Sequence, residues 1–157
     1  MKIEVWSIGS ANEAIFDKAI SEYAKRINRY YSFELKCIAS KANANAPLEQ
    51  YLLAEKQQIE HLLQANDLFF VLDDKAKQAT TLQLAKQMDN WLSLGKKRII
   101  FLIGGAYGVH SSLKQQAHQC LSLSLLTFPH QLVRLIVCEQ LYRVCTVLRG
   151  EKYHHED

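Results

Sequence analysis

Short apolar segments alternate along the chain with longer amphipathic ones. The short segments are rich in β-branched and aromatic residues and predict five strands, at Lys2–Ile8, Phe33–Ile38, Leu68–Asp73, Arg98–Ile103 and Leu121–Thr127. The third and fourth are continuously apolar over five residues, which is typical of strands that are covered on both faces in a parallel sheet.

Helical periodicity fills the intervals between these strands. The predicted helices are a stripe from Phe16 to Tyr30, Pro47 to about Gln64, Thr80 or Thr81 to Gly95, a short helix after Ser111 or Ser112, and about Gln131 to Leu148 before Gly150. Strands and helices that alternate in this way predict an α/β fold, with a mainly parallel sheet and helices on both faces. The length fits one domain, residues 1–157.

The last predicted helix carries apolar side chains around nearly its whole circumference. A helix of this kind has to be covered on more than one side. The cover is either the core of a single chain or a second subunit. Because closed two-fold dimers are the commonest soluble oligomers, we predict a homodimer.

Composition excludes several classes of protein. The chain is 48% hydrophobic and 22% charged, as folded globular proteins are, and its net charge of +3 does not by itself require a nucleic-acid partner. No apolar run approaches the roughly 20 residues of a membrane helix, and the first residues lack a signal-peptide pattern, so we expect a cytoplasmic protein without a membrane partner. The histidines and cysteines lack the short paired spacings of zinc sites, so we expect no metal.

Two segments are candidates for ligand binding. Ile103–Gly108 is a glycine-rich turn that follows a predicted strand, at the position where open α/β sheets bind ligands. Leu121–His130 is a second strand end, followed by Pro129 and the apolar helix, with Arg134 one turn inside that helix. Each segment taken alone is also compatible with a purely structural turn or helix start.

Four motifs taken together resemble the ribosomal RNA large subunit methyltransferase H family. They are I-G-G-x-x-G, L-S-L-S-x-L-T-F-P-H, V-R-x-x-x-x-E-Q-x-Y-R and R-G-x-x-Y-H, at residues 103–108, 121–130, 133–143 and 149–154. The resemblance extends over essentially the whole chain. It implies a homodimer of the SPOUT fold with a trefoil knot in the C-terminal part, a rare exception to the absence of knots.

The same resemblance implies an activity and a cofactor site. The expected activity is transfer of a methyl group from S-adenosyl-L-methionine to N3 of a pseudouridine in 23S rRNA, on assembled ribosomes. The expected cofactor-binding residues lie at or near the carboxyl ends of strands, where backbone groups can read the adenine edge and apolar side chains can enclose its faces. They are Leu72, Gly104, Leu123, Ser124, Leu125, Leu126, Thr127 and Phe128.

The C-terminal tail supplies the candidates for catalysis. We hypothesise that Tyr153 and His154 line the target-base site and assist loss of the imide proton, and that Arg134 contacts the RNA or the active site. The alternative for the tail is a frayed terminus without function. Glu139 and Arg143 are spaced for an i, i+4 salt bridge, which is at least as compatible with a structural role as with a catalytic one.

A basic cluster near the end of the first helix is the candidate RNA-binding surface. Lys25, Arg26 and Arg29 can meet phosphates, and Tyr30 and Tyr31 can stack on unpaired bases. A solvated helix face over core tyrosines is the alternative.

Two other functions remain compatible with the residues. One is a non-catalytic, flavodoxin-like nucleotide-binding module, which would bind a phosphorylated ligand at Gly104–Gly108. The other is a SPOUT methyltransferase that acts on tRNA, although this chain has no room for the additional RNA-binding domain that such enzymes often carry.

Overall fold

Five parallel strands form one sheet in a computed structural model that describes residues 1–9 and 14–153. The strand order is β2-β1-β4-β3-β5, and every neighbouring pair is parallel. The strands are β1 (Lys2–Ile8), β2 (Ser32–Ile38), β3 (Asp67–Leu72), β4 (Arg98–Ile103) and β5 (Gln119–Leu121). The predicted α/β class with a parallel sheet is therefore confirmed.

The five helices begin and end close to the predicted positions. They are α1 (Ala14–Ile27), α2 (Leu48–Glu60), α3 (Thr81–Ser93), α4 (Ser111–Gln116) and α5 (His130–Leu148). Thr80 and Gln83 form a capping box at the start of α3, which satisfies backbone N–H groups that the first helical turn leaves unpaired. Gly95 and Gly150 follow α3 and α5 with φ of +66°, the left-handed conformation that ends many helices.

The sheet separates two apolar layers because successive strand side chains point to opposite faces. Ile3 and Val5 of β1 lie in the larger layer with α1, α3 and α5, whereas Trp6 and Ile8 lie in the smaller layer with α2 and α4. Helices therefore cover both faces, as predicted.

The predicted fifth strand, Leu121–Thr127, is wrong. β5 covers only Gln119–Leu121, and it pairs with the last three residues of β3. Because β3 ends at Leu72, no neighbouring strand continues to offer hydrogen bonds beyond Leu121. The alternating Leu-Ser pattern that followed it therefore forms a loop and not a strand.

Helix α5 lies against β1 and β4, between α1 and α3. Its own chain thus covers α5 on several sides, which accounts for much of its apolar circumference. Its remaining apolar side chains, such as Leu132, Leu135 and Ile136, are half-buried. Within residues 1–9 and 14–153, no helix has the length and apolar character needed to cross a membrane.

A buried carboxylate stabilises the amino edge of the sheet. Glu4 is 1% exposed and accepts hydrogen bonds from the Trp6 indole (2.7 Å) and from Lys36 (2.9 Å), with Lys2 Nζ at 3.0 Å. Burial alone would raise the pKa of Glu4, but the hydrogen bonds from Lys36, Trp6 and Lys2 outweigh it and lower the pKa to about 2.

We expect Glu4→Gln to lower the free energy of unfolding by about 2 to 3 kcal/mol, because the substitution removes the buried carboxylate that Lys2 and Lys36 share. Lys2 and Lys36 are about one-third exposed, and solvation in the variant limits the loss. Glu34→Gln is the matched control, since Glu34 also contacts Lys2 but is 42% exposed, and should cost less than about 1 kcal/mol. Urea denaturation at pH 7 measures both values, and equal losses would contradict the argument.

The same carboxylate predicts acid sensitivity. Its folded-state pKa lies below the ordinary value of 4.5, so its contribution is present above about pH 4.5 and is lost as pH falls towards 2. The contribution is at most about 3 kcal/mol. Between pH 5 and pH 2.5, Glu4→Gln should therefore lose less stability than the wild-type chain.

Candidate active site at the carboxyl edge of the sheet

A cavity of about 270 Å³ opens at the carboxyl edge of the sheet. Three loops line it, those that follow β3, β4 and β5, together with the start of α5. The volume is near the lower end of the range for small-molecule sites, which runs from about 300 to 1,000 Å³. Ligands of parallel α/β proteins bind at this edge, so the cavity is the candidate active site.

In the loop after β4, Gly104 lies very close to Gly108 and Val109. A Cβ atom on Gly104 would lie 2.7 Å from the Val109 side chain and 2.8 Å from the backbone C and O atoms of Gly108. The Gly108 N–H donates to the Gly105 carbonyl (3.0 Å), and Gly108 has a φ of +82°. Glycine is therefore required at 104 by space and at 108 by conformation, and the turn presents bare backbone to the cavity.

The loop after β5 supplies the opposite wall. The Ser122 hydroxyl bonds to the carbonyls of Asp74 (3.2 Å) and Ser124 (3.0 Å), which holds the start of this loop against the loop after β3. Most of the predicted cofactor-binding residues line the cavity, namely Leu72, Gly104, Leu123, Ser124, Leu126, Thr127 and Phe128. The exception is Leu125, which is 80% exposed and lies outside the lining.

Charged groups also line the cavity. Asp73 directly follows β3 and pairs with Lys114 at 2.6 Å, and its second oxygen accepts from the Lys75 N–H at 3.2 Å. Burial alone would raise the pKa of Asp73, but the Lys114 and Lys75 hydrogen bonds lower it on balance. Asp73 is thus ionised at neutral pH, and Lys114, which also lines the cavity beside Asp74, balances its charge. Asp73 and Lys114 were not predicted from the sequence, since two isolated charges 41 positions apart form no recognisable pattern.

Arg134 lies buried beside the cavity at the end of β1. It is 3% exposed, and its Nε donates to the Ser7 hydroxyl at 2.7 Å. Its Nη2 lies 3.9 Å from the point that a Cβ on Gly9 would occupy, and Gly9 has a φ of +118°. The guanidinium therefore lies next to Gly9, which follows β1 and has no side chain. Arg134 is one helical turn along α5 from His130, which lines the cavity.

Tyr153 folds back on the middle of α5. Its ring packs edge-on against Tyr142 (centroids 4.7 Å apart) and under the Arg143 guanidinium (4.8 Å), and its hydroxyl lies 3.4 Å from Glu139 Oε1. Burial, with Tyr23 and Glu139 nearby, raises the pKa of Tyr153 to about 12, so its phenol is protonated at neutral pH and can donate but not abstract a proton. The predicted Glu139–Arg143 salt bridge is confirmed. His154 lies outside the described residues.

The predicted RNA-binding residues are exposed at the opposite edge of the sheet from the cavity. Lys25, Arg26 and Arg29 lie at the end of α1, which starts at the cavity edge and runs back along the strands. Lys25 pairs with Glu22 at 2.9 Å, and the Arg26 guanidinium stacks over Tyr142 at 5.6 Å. These residues and Tyr153 therefore share one surface.

The predicted site residues thus form two groups. The cavity group holds the cofactor candidates and Arg134, whereas the second group holds Tyr153 and the basic residues. Tyr142, which Tyr153 contacts, lies twelve residues along α5 from His130, or about 18 Å. Within the described residues, no group of three or more His, Cys, Asp or Glu side chains could hold a metal ion.

A parallel α/β sheet with three loops that enclose a cavity at its carboxyl edge defines an enzyme-like ligand-binding domain. The family of predicted SPOUT methyltransferases matches residues 1–154. Among solved structures, a probable methyltransferase from Bordetella pertussis Tohama I has a TM-score of 0.58 at 12% identity, covering 92% of this chain and 93% of its own. A probable methylase family protein from Haemophilus influenzae Rd KW20 has a TM-score of 0.53 at 11% identity, over 98% and 70%. These two likenesses concern the fold alone.

Curated relatives give a finer assignment. Proteins named "Ribosomal RNA large subunit methyltransferase H" from Dechloromonas aromatica and Cytophaga hutchinsonii are 39% and 36% identical to this chain. The alignments cover 99% of this chain in both cases, and 99% and 100% of the relatives. The chain is a SPOUT methyltransferase, and it belongs to the ribosomal RNA large subunit methyltransferase H family.

Proposed function

We propose that this enzyme transfers the methyl group of S-adenosyl-L-methionine to N3 of a pseudouridine in 23S rRNA, on assembled ribosomes in the cytoplasm. The supporting observation is the cavity that the predicted cofactor residues enclose. The names of the full-length relatives support a ribosomal RNA substrate. The particular base and the assembled ribosome follow from the resemblance of the four sequence motifs.

The cavity fits this methyl donor in shape and charge. Gly104 leaves backbone where a Cβ would fill the turn, so a flat heterocycle can lie close to main-chain N–H and C=O groups. Leu72, Leu123 and Phe128 supply apolar surface for the ring faces. Asp73 and Asp74 supply carboxyl groups for a cationic ligand, beside Lys114, which balances the charge of Asp73. The donor supplies an electrophilic methyl group when bound, and the chemistry needs no metal.

The protein's own residues contribute mainly positioning. The loops that line the cavity would hold and orient a bound methyl donor, and alignment of reacting atoms can lower a barrier by about 7 to 11 kcal/mol in well-oriented cases. Arg134 supplies a fixed positive charge at the end of β1, where it would favour an imide oxygen that gains negative charge. Tyr153, protonated at neutral pH, would act as a hydrogen-bond donor. His154 stays our candidate for assisting proton loss.

A homodimer would bring the two groups of site residues together. Tyr142, which Tyr153 contacts, lies about 18 Å along α5 from His130 at the cavity. If the tail acts on the target base, a second chain is the simplest source of it. Apolar surface beside the cavity supports such an interface, since Leu125 and Leu126 are 80% and 69% exposed. We propose that this surface and the half-buried face of α5 contact the partner.

Hydrogen bonds between the loops that follow β3 and β5 support the proposed trefoil knot. Asp73 N–H donates to the Leu121 carbonyl, Ser122 N–H donates to the Lys77 carbonyl, and Gln78 bridges to Ser122. After these contacts the chain turns back to place α5 under β1 and β4. The start of the segment at residues 121–128 is thus bonded to the loop that follows β3, and passage of the C-terminal part through that loop would form the proposed knot.

The exposed basic residues supply the proposed RNA contact. Lys25, Arg26 and Arg29 would meet phosphates in a salt-dependent manner, next to the tail that we assign to the target base. An assembled ribosome would bring further binding surface of its own.

Methyl transfer to ribosomes tests this function directly. Purified protein is incubated with radiolabelled S-adenosyl-L-methionine and with ribosomes that lack the modification, beside free rRNA and tRNA. We expect label in ribosomes, and nucleoside mass spectrometry should identify N3-methylpseudouridine. Label in tRNA alone would retain the methyl donor and contradict the target. No label in any substrate, with folded protein, would favour the non-catalytic module.

A further inference from the structure

A second cleft, of about 380 Å³, lies between α3, the loop that follows β3 and the start of β5. Its volume falls within the range of small-molecule sites, about 300 to 1,000 Å³. Two lysines, Lys77 and Lys86, and five carboxamide side chains line it, among them Gln87 of α3 and Gln119 of β5. Among the described residues no carboxylate lines this cleft, whereas Asp73 and other charged groups line the active-site cavity. The two sites therefore suit ligands of different chemistry.

The lysines of the cleft carry positive charge that the described part of the chain does not balance. Lys77 and Lys86 are exposed, and neither forms an ion pair within residues 1–9 and 14–153. Lys25, Lys56 and Lys114, by contrast, each lie within 2.9 Å of a carboxylate oxygen. Two unbalanced charges of the same sign on one cleft attract an anionic ligand.

The carboxamides of the cleft supply hydrogen-bond donors and acceptors side by side. Each presents an oxygen that accepts next to an NH₂ group that donates, the combination with which Gln and Asn recognise the edges of nucleobases. Gln87 is half-buried, and among the described residues its Oε1 is one of two buried side-chain polar atoms without a hydrogen-bond partner. The last torsion of a glutamine is broad, so this amide can turn towards a ligand at little cost.

One loop forms a wall of both the cleft and the active-site cavity. Asp73 and Asp74 of this loop line the cavity, and residues 77–79 line the cleft. Ser122 contacts both parts of the loop, because its hydroxyl lies 3.2 Å from the Asp74 carbonyl and its N–H donates to the Lys77 carbonyl at 3.3 Å. Since a single serine contacts both carbonyls, the cleft and the cavity are adjacent across this loop.

We propose that this cleft binds an unpaired nucleotide of the rRNA next to the target base, with its phosphate at Lys77 and Lys86 and its base edge at Gln87. A nucleotide combines the anionic group that lysines bind with a base edge that amides read, and unpaired bases expose that edge. The proposal rests on the proposed function, which supplies an RNA strand at the neighbouring cavity. It is independent of Lys25, Arg26 and Arg29, which lie at the opposite edge of the sheet.

Charge reversal tests the phosphate contact. The double variant Lys77→Glu/Lys86→Glu should raise KM for ribosomes by about 10-fold or more at about 0.1 M salt, and the difference from wild type should shrink as the salt concentration rises. The value of kcat should stay close to that of wild type, because neither lysine lines the active-site cavity. Lys41→Glu is the matched control, since Lys41 is an exposed lysine in the loop after β2, at the other lateral edge of the sheet. Its KM should equal that of wild type.

Gln87→Leu tests the base contact without a change of charge. Loss of hydrogen bonds to the base should raise KM for ribosomes by about 3- to 10-fold, at low and at high salt alike. Gln115→Leu is the matched control, because Gln115 is exposed on α4 and lies outside the cleft lining. Asn90→Leu, at an exposed position of the cleft lining, gives a second test if Gln87→Leu does not fold. Calorimetry should give every variant the wild-type affinity for S-adenosyl-L-methionine.

Co-sedimentation with ribosomes measures binding independently of methyl transfer. An unchanged KM and unchanged co-sedimentation of the double lysine variant would overturn the proposal. A lysine effect without any effect of the amide variants would indicate a general electrostatic surface, and would overturn the nucleotide site as well. Reduced affinity of the lysine variant for S-adenosyl-L-methionine would assign the lysines to the cavity and not to RNA.

Failure of the proposed function gives a different result. Wild-type protein that co-sediments with ribosomes but methylates none of them would contradict the proposed function. The co-sedimentation of the lysine and amide variants would then still decide whether the cleft binds RNA.

Discussion

Gly104→Ala should reduce kcat/KM for methyl transfer by about 100-fold or more, with a matching loss of cofactor affinity. The added Cβ would overlap the Gly108 backbone at 2.8 Å, and backbone cannot rotate away as a flexible side chain can. The turn has to move outward into the cavity or open. A displacement of about 1 Å at a reacting site can cost 100-fold in rate. Calorimetric titration with S-adenosyl-L-methionine and a steady-state transfer assay measure the two effects.

Gly95→Ala is the control for that substitution. Gly95 has a φ of +66° and open space around its missing side chain, at the end of α3. The variant should lose about 1 kcal/mol of stability through left-handed strain and keep its transfer activity. If Gly104→Ala binds S-adenosyl-L-methionine as tightly as Gly95→Ala does, close approach of a ligand to this turn is not required.

Arg134→Ala should have the second large effect, on stability and on catalysis together. It removes a buried guanidinium and leaves the Ser7 hydroxyl without its donor in a site that is fully buried. We expect the free energy of unfolding to fall by about 2 to 4 kcal/mol. Methyl transfer at a temperature where the variant is folded should fall by at least about 100-fold, because a fixed charge at the reacting edge is lost.

Ser7→Ala separates the two roles of Arg134. It removes the 2.7 Å hydrogen bond but leaves the guanidinium beside Gly9. Stability should fall by about 1 to 2 kcal/mol, and transfer should stay within about tenfold of wild type. Denaturation and transfer assays on both variants give the comparison. An Arg134→Ala enzyme that is folded and fully active would restrict Arg134 to a structural role.

Hydrophobic periodicity predicted most of the fold because it reports how each segment meets the core. The bounds of β1 and β4 were predicted to the residue, and Gly95 and Gly150 marked helix ends correctly. These features depend on neighbours along the chain and on side-chain chemistry. The motifs at residues 103–108 and 121–130 indicated the cavity for the same reason. Each motif is one contiguous segment that begins at the end of a strand.

The prediction of β5 failed because strand length depends on a partner. Leu121–Thr127 alternates as a half-buried strand does, but β3 offers a partner for only the first of these residues, Leu121. The separation of Tyr153 from the cavity also could not be predicted from the sequence. It follows from the direction of α5 against the sheet and not from any motif. Homodimer, knot and the catalytic role of His154 stay predictions.

The sequence by itself determined the α/β class, the sequential order of the elements, the family and the loops that line the cavity, because these are properties of contiguous segments. Only the tertiary structure decided which isolated charges matter. In the sequence, nothing distinguishes Glu4 and Glu55 from the other glutamates. In the structure, both are at most 3% exposed. Their burial depends on which face of a strand or helix meets the sheet, and on partners dozens of residues away. For Glu4 those partners hold its charge, and Glu55 packs against Gly105 behind the glycine-rich turn.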